Sequence, residues 1–211
     1  WVQDVAAALP AKLLGNVKGR EVLDLCAAPG GKTAELAAMG ARVTALDRSK
    51  PRLERLKQNL ARLDLTAETI VADAGTFEPG RQWDAVLLDA PCTATGTARR
   101  PPDVTRLKSP ADRDKLARLQ ERLLTHAAAL TAPGGTLVYC TCSLEPEEGV
   151  KQIEAFLAAQ DDFARARVMP EEVGGMAEII TTDGDIRSLP SHLAIEGGMD
   201  GFFVVRLKRN K

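Results

Sequence analysis

Short apolar runs alternate with amphipathic stretches along most of the chain, and each run has the length of one buried strand. The run Glu21–Ala27 ends in a Pro-Gly-Gly turn, as expected of a parallel strand that is covered on both faces. The same pattern predicts strands over Glu21–Ala27, Arg42–Asp47, Glu68–Asp73, Trp83–Ala90, Thr136–Thr141 and Phe202–Leu207.

The stretches between these runs have helical spacing. Ser49 is a suitable N-cap for one of them, and the turn Pro133-Gly134-Gly135 precedes the fifth strand. Helices are predicted over Gly31–Met39, from Ser49 to about Leu63, over Ala111–Leu130 and over Pro146–Ala159, with a loop rich in Pro, Arg and Thr over Thr93–Pro110. This alternation predicts a doubly wound α/β domain with a mostly parallel sheet and right-handed crossovers.

Composition narrows the class of protein only slightly. The 28 basic and 29 acidic residues give a net charge of −1, which neither supports nor excludes a nucleic acid partner. No apolar run reaches the about 18 residues of a membrane span. Four cysteines without a secretory signal predict reduced thiols in the cytoplasm rather than a disulfide framework.

Polar residues collect where the predicted strands end, which is the edge at which parallel sheets bind ligands. A single Asp or Gly at a strand end is more often a turn residue than a ligand. Five such ends together favour a binding site: Pro29-Gly30-Gly31, Asp47, Asp73, Asp89-Ala90-Pro91-Cys92 and Thr141-Cys142-Ser143.

The first of these ends resembles a nucleoside site without a phosphate cradle. The loop Cys26–Thr33 has neither P-loop nor dinucleotide spacing, but its paired glycines allow close backbone approach. Asp47 is placed to accept both hydroxyls of a ribose, and Asp73 to accept from an adenine amino group. S-adenosylmethionine fits this pattern. Asp24, inside its apolar strand, is expected to hold loop amides from below.

The cysteines divide into two pairs. Cys26 and Cys140 lie in or at the end of apolar strands and fit simple burial. Cys92 and Cys142 follow adjacent strands, and from the residues alone a buried structural role and a reactive role stay equally open for them. A metal site is not expected, because the chain has only two histidines and its Cys-x-Cys matches no zinc spacing.

Three motifs in order carry a family resemblance. They are CAAPGGKT at Cys26–Thr33, LDAPCTATG at Leu88–Gly96 and YCTCSLEPEE at Tyr139–Glu148, followed by GMDGFF at Gly198–Phe203. Over Trp1 to about Leu207 the chain resembles the RNA cytosine-5 methyltransferases of the Sun family, above all the bacterial branch that acts on 16S ribosomal RNA.

The resemblance implies a Rossmann-like seven-stranded sheet with an antiparallel last strand, S-adenosylmethionine as cofactor, and RNA as partner, with ribosomal RNA favoured over transfer RNA. It implies that Cys142 is the nucleophile and that Cys92 assists proton removal or product release. Asp89, near Cys92 in sequence, is expected to hold N3 and the exocyclic amine of cytosine. The cofactor residues it implies are Cys26, Ala27, Ala28, Pro29, Gly30, Gly31, Lys32, Asp47, Asp73 and Asp89.

The loop after the fourth strand is the expected RNA contact. Its cations are expected to grip phosphates beside the target base: Arg99, Arg100, Arg106 and Lys108. Pro101 stands where the family carries His. We expect residues 1–211 to form one catalytic domain, acting as a monomer and lacking the N-terminal RNA-binding domain of the bacterial enzymes.

Two other functions compete with this hypothesis. A methyltransferase of the same fold acting on a protein or small molecule leaves Cys92 and Cys142 unexplained. A non-catalytic RNA-binding assembly protein with a vestigial pocket conflicts with the intact Gly30, Asp47 and both cysteines. Cofactor binding and the chemical class of the methylated product separate these alternatives.

Overall fold

The computed structural model describes all residues from 1 to 211. Its strands are β1 (Glu21–Leu25), β2 (Arg42–Asp47), β3 (Glu68–Val71), β4 (Trp83–Asp89), β5 (Thr131–Thr141), β6 (Phe163–Arg165), β7 (Ile186–Ser188) and β8 (Phe202–Arg209). Its helices are α1 (Val5–Lys12), α2 (Gly31–Ala38), α3 (Lys50–Arg62), α4 (Val104–Leu107), α5 (Pro110–Leu130) and α6 (Val150–Ala159). None of the helices combines the length and the apolar character needed to cross a bilayer.

All strands belong to one sheet in the order β3-β2-β1-β4-β5-β8-β6, and β7 pairs with β8 in addition. The strands β1 to β5 are parallel to one another, whereas β8 runs antiparallel to β5, β6 and β7. The predicted fold class is confirmed, with β7 as a short strand beside the seven-stranded path. The strand order reverses between β1 and β4, which is where doubly wound sheets bind ligands.

Two hydrophobic layers cover the two faces of the sheet. Alternate residues of one strand enter opposite layers, as Leu23 and Val22 of β1 do. The helices α5 and α6 pack on the Leu23 side through residues such as Leu124 and Ile153, and Leu9 of α1 lies on the other side. Helices on both faces explain why the strands read as continuous apolar runs.

Several predicted boundaries differ from the structure. The predicted strands Glu21–Ala27 and Glu68–Asp73 each end two residues earlier, at Leu25 and Val71. The Pro133-Gly134-Gly135 turn lies within β5, which begins at Thr131 and shifts register against β4 between Trp83 and Ala85. The predicted helix Pro146–Ala159 is interrupted at Gly149, which separates a 3-10 turn from α6. A Cβ at Gly149 would lie 3.0 Å from Cγ of Phe203, so the close approach to β8 accounts for the break.

Several short elements escaped the sequence pattern. The helix α1 and the three-residue strands β6 and β7 were not predicted, and the loop Thr93–Pro110 contains α4 and a 3-10 turn. The strands β6 and β7 and the helix α4 have only three or four residues each, which is too few positions for a periodicity to emerge. The strands β6 and β7 form only because β8 supplies their hydrogen-bonding edge.

Candidate active site

The loop after β1 brings backbone close to the switch point of the sheet. Cys26 adopts a left-handed conformation with φ of 61°, and Gly30 precedes α2 with φ of 98°. A Cβ at Gly30 would lie 2.6 Å from Cγ of Leu56 in α3. Glycine is therefore required both by the backbone angle and by the packing of α3 against this loop.

Asp47 ties this loop to the start of α3. Its side chain is 2% exposed, and its two carboxylate oxygens accept from the N–H groups of Ala28 at 3.2 Å and Ser49 at 2.8 Å. Arg52 Nη1 lies 3.6 Å from the same carboxylate. The aspartate is thus held rigidly by donors at the end of β2.

A cavity opens between the ends of β1, β2 and β4. Its walls combine apolar side chains with two carboxylates, among them Cys26, Leu46, Asp47, Asp73, Pro91 and Leu123. Asp73 is half-exposed, accepts from Gly75 N at 2.8 Å and lies 3.9 Å from Arg122 Nη2. The structure therefore brings Cys26, Asp47 and Asp73 around one cavity.

Lys32 and Asp89 form an ion pair beside this cavity. The Nζ atom of Lys32 lies 2.8 Å from Oδ2 of Asp89, with the lysine side chain 10% exposed. Burial is the largest single effect and would lower the pKa of Lys32, but Asp89 together with Cys140 and Asp24 raises the pKa above its ordinary value. Lys32 is held as a cation that orients Asp89.

Cys92 and Cys142 meet where β4 and β5 end. Their sulfur atoms lie 3.5 Å apart, and the two cysteines are free thiols. The pKa of Cys92 is raised well above its ordinary value by the hydrogen bond with Cys142 and by burial. The pair therefore keeps a proton on Cys92 at neutral pH.

The other two cysteines do not join this pair. Cys140 is fully buried, as its sequence position predicted, and burial raises the pKa of its thiol well above the ordinary value. Its Sγ lies 3.4 Å from Oδ1 of Asp89. Cys26 is partly buried at the cavity, and burial there raises its pKa to about 12.

The prediction for Asp24 is wrong. Its Oδ2 accepts from the hydroxyl of Thr33 at 2.6 Å rather than from loop amides, and its Oδ1 is buried without a hydrogen-bond partner. Full burial raises the pKa of Asp24 to about 7 despite that hydrogen bond. The cause lies in the turn into α2, which places Thr33 directly over the strand.

The basic loop after β4 is tied to acids of the same chain. Arg99 Nη2 lies 2.8 Å from Asp4 and 3.5 Å from Asp200, and Arg100 makes a two-pronged contact with Asp200. Asp200 is completely buried. Arg106 and Lys108 are exposed and have no acidic partner. The four predicted RNA contacts thus separate into two anchored and two unpaired cations.

Sequence reasoning gave no role to Glu148, a fully buried carboxylate beside the two cysteines. Glu148 accepts from Thr93, Ser143 and Gln120. The only sequence signal is its place in the Pro-Glu-Glu segment of the last motif, where two adjacent glutamates look equally exposed. The break at Gly149 turns one of them inward.

The sheet order, the antiparallel β8 and a cavity at the switch point define an α/β protein of the Rossmann-like methyltransferase class. Within that class, the chain belongs to the 16S rRNA methyltransferase RsmB/F family, whose profile matches residues 11–208. The predicted Sun-family resemblance is thereby confirmed.

Individual relatives agree with this assignment. The chain is 41% identical over 211 residues to ribosomal RNA small subunit methyltransferase B of Cronobacter sakazakii, covering 98% of this chain and 46% of that protein. The solved structure of PH0851 superposes with a TM-score of 0.90 at 33% identity, covering 99% of this chain and 47% of that one. The structure of NSun6 from Pyrococcus horikoshii, solved with SFG, superposes with a TM-score of 0.85 at 26% identity, covering 100% of this chain and 53% of that one. The chain spans about half the length of these relatives.

Proposed function

We propose that this domain transfers a methyl group from S-adenosylmethionine to C5 of cytosine in ribosomal RNA. The observation that carries the proposal is the contact of the Cys92 and Cys142 thiols beside Asp89, next to a cavity suited to a nucleoside. Membership in the 16S rRNA methyltransferase RsmB/F family and the names of the relatives support ribosomal RNA as the substrate class. Transfer RNA is the alternative substrate.

The cavity has the chemistry that the cofactor needs. Asp47, at the end of β2, offers carboxylate oxygens for ribose hydroxyls, and Asp73 lies on the same cavity for an adenine amino group. Leu46, Pro91 and Leu123 provide apolar walls for a base. S-adenosylmethionine supplies a methyl group on a sulfonium ion. Asp89, paired with Lys32, ends the strand that leads through Pro91 of the cavity wall to Cys92.

The thiols supply the chemistry that C5 lacks. The Cys142 thiolate adds to C6 of the cytosine, and C5 then carries the electron pair that accepts the methyl group. Loss of the C5 proton restores the double bond and expels Cys142. Because the raised pKa keeps the proton on Cys92, a water hydrogen-bonded to the Cys92 thiol takes the C5 proton, and Cys142 leaves as the thiolate.

Asp89 is placed to hold the cytosine ring during addition. One oxygen faces Lys32 and the other Cys140, and the side chain is still 33% exposed toward the site. A carboxylate here accepts from the exocyclic amine of cytosine and, once N3 has taken up the proton that the Cys142 thiol gives up on addition to C6, from N3–H as well. A ring held this way has to leave its stack, which is easier in single-stranded or looped RNA.

A basic groove continues from the cofactor cavity along α5. Lys115, Arg118 and Arg122 are exposed at helical spacing, and Arg48 faces them. The groove shares Arg48 with the cofactor cavity, and it shares Lys108 with a second groove that contains Thr93. Because the whole chain has a net charge of −1, this local excess of cations supports a polyanionic substrate. The four free cysteines fit a reducing compartment, and we propose the cytoplasm as the place of the reaction.

The deciding experiment is methyl transfer to RNA from a strain that lacks the enzyme. Labelled S-adenosylmethionine is incubated with total RNA, with total protein and with each RNA fraction, and bisulfite sequencing locates the modified base. Label in small-subunit ribosomal RNA as 5-methylcytosine is the expected result, and Cys142→Ser is the inactive control. Label in transfer RNA would change the substrate, and label in protein alone would overturn the proposal.

A further inference from the structure

Glu148 is a buried carboxylate to which the proposed methyl transfer assigns no role. It ends the 3-10 turn Pro146–Glu148, and its side chain is fully buried. No lysine or arginine forms an ion pair with it. Burying a carboxylate without a counter-ion is costly unless hydrogen bonds replace its water. The hydrogen bonds of Glu148 therefore indicate why it is there.

Four donors saturate this carboxylate. Its Oε1 accepts from Thr93 N at 3.0 Å and from Gln120 Nε2 at 3.0 Å. Its Oε2 accepts from the hydroxyl of Ser143 at 2.5 Å and from the hydroxyl of Thr93. The two oxygens of a carboxylate offer about four lone-pair positions, so these four donors use its whole accepting capacity.

The donors flank the two cysteines directly. Thr93 follows Cys92 in the loop after β4, and Ser143 follows Cys142 in the loop after β5. Gln120 of α5 also donates to the carbonyl of Pro91 at 2.8 Å, on the other side of Cys92. One carboxylate thus joins the segments on which both thiols are carried.

Glu148 is itself fixed to the sheet. Its carbonyl oxygen accepts from the hydroxyl of Tyr139 at 2.8 Å and from the hydroxyl of Thr141 at 3.1 Å. Both donors belong to β5, and all three residues are fully buried. The carboxylate therefore acts from a rigid base rather than from a mobile loop.

We propose that Glu148 is a positioning residue that holds the thiols of Cys92 and Cys142 in contact by bonding Thr93 and Ser143. Its effect on catalysis rests on the proposed function, whereas its effect on the distance between the thiols does not. The carboxylate oxygens of Glu148 are occupied by protein donors, so Glu148 acts through the two cysteine loops. It sets the geometry in which one thiol attacks and the other handles a proton.

Phenylarsine oxide measures the thiol contact without any substrate. Its arsenic forms two As–S bonds with a pair of neighbouring thiols and releases its oxygen as water, so tight binding requires both sulfurs to be positioned together. Wild-type protein is expected to bind one equivalent, and Cys92→Ser to lose this tight binding. Glu148→Ala leaves the Thr93 N–H unpaired and is expected to weaken binding at least about tenfold.

Two further variants separate positioning from folding. Glu148→Gln keeps the shape and one oxygen acceptor, so we expect an intermediate loss of about threefold. Ser143→Ala removes one donor, and a similar partial loss is expected. Glu147→Gln is the matched control, since the neighbouring glutamate pairs with Lys151 at the surface and its variant is expected to bind the arsenical as wild type does.

Methyl-transfer kinetics provide the second readout. A positioning role predicts a large loss of kcat in Glu148→Ala and a smaller loss in Glu148→Gln. In both variants, KM for RNA and for S-adenosylmethionine stays within about twofold of wild type. If Glu148→Ala does not fold, as judged by circular dichroism, Glu148→Gln and Ser143→Ala decide. Wild-type arsenical affinity and kcat in both of these variants would overturn the proposal.

The two proposals can fail separately. Loss of arsenical binding in the Glu148 variants, with no methyl transfer by wild type to any RNA, leaves the positioning role standing and removes the proposed function. Methyl transfer by wild type, with a raised KM and an unchanged kcat in Glu148→Gln, supports the proposed function and removes the positioning role. Either pattern is read from the same set of purified proteins.

Discussion

The sulfur atoms of Cys92 and Cys142 lie 3.5 Å apart, although 50 residues separate them in the chain. They meet because β4 and β5 are parallel neighbours whose register pairs Asp89 with Cys140, so both cysteines follow at the same sheet edge. The proposed mechanism uses this contact between two thiols by assigning the attack to Cys142 and a part in proton transfer to Cys92, whose pKa is raised.

The two cysteines are predicted to fail in different ways when replaced. Cys142→Ser should lose both methylation and the covalent RNA complex, because an alkoxide is not accessible near neutral pH. Cys92→Ala should still attack and methylate but release product slowly, which leaves protein joined to RNA as a shifted band on a denaturing gel. The double variant is the control without a band. A band from Cys142→Ser alone would exchange the two roles.

Asp47→Ala is predicted to weaken S-adenosylmethionine binding. The change removes the hydrogen bonds proposed for the ribose, and it also frees the Ala28 and Ser49 amides that the carboxylate holds. Affinity measured by calorimetry should fall at least about tenfold. Glu54→Ala, at an exposed position of α3, is the control. Unchanged affinity in Asp47→Ala would move the ribose to another part of the cavity.

The basic face of α5 is predicted to contact RNA phosphates. Replacing Lys115, Arg118 and Arg122 by alanine should weaken RNA binding and reduce the salt slope by about two, as expected for about three lost phosphate contacts on a single strand. Because Arg122 also lies 3.9 Å from the Asp73 carboxylate of the cofactor cavity, affinity for S-adenosylmethionine should stay unchanged in the double variant Lys115→Ala, Arg118→Ala, which keeps that contact. The matched control replaces three exposed, unpaired cations outside the groove: Lys18, Arg55 and Arg62. An equal loss in that control would indicate a non-specific charge effect.

Arg99 and Arg100 are predicted to contribute to folding as well as to RNA contact. Replacing both by alanine leaves the buried carboxylate of Asp200 without its ion pairs, so the free energy of unfolding should fall by more than about 1 kcal/mol. Urea unfolding measures this loss. The salt dependence of RNA binding then tests the phosphate contact, and a slope equal to that of wild type would assign the pair to folding alone.

Asp24 is predicted to make stability fall as pH rises. Its pKa is about 7 when folded, against an ordinary value of 3.8, so between these values only the folded state keeps the proton. Stability therefore declines across that window and the loss is complete above it. Asp24→Asn cannot ionise, and it should gain more than about 1 kcal/mol relative to wild type between about pH 5 and about pH 8. Urea unfolding measures the free energy of unfolding of both proteins at each pH. The same pH dependence in wild type and Asp24→Asn would contradict the assigned pKa.

Apolar periodicity predicted six of the eight strands and four of the six α-helices, because a strand covered on both faces needs a continuous apolar run. The antiparallel direction of the last strand came from the family resemblance. The bounds of β2 agree with the prediction, and Ser49 caps α3 as expected, with its hydroxyl 3.4 Å from Arg52 N. Elements without such a run, such as β6 and β7, depend on the edge of β8. Their short sequences carry no local signal.

The sequence by itself determined which residues stand at the strand ends and, through its motifs, the family to which the chain belongs. Only the tertiary structure decided how those residues are paired: Arg100 with Asp200, Asp24 with Thr33, and Glu148 with both cysteine loops. Periodicity reports whether a side chain faces the core or the solvent, since that depends on its own strand or helix. Hydrogen-bond partners depend on which distant segments the packed layers bring together, and a local pattern holds no record of that.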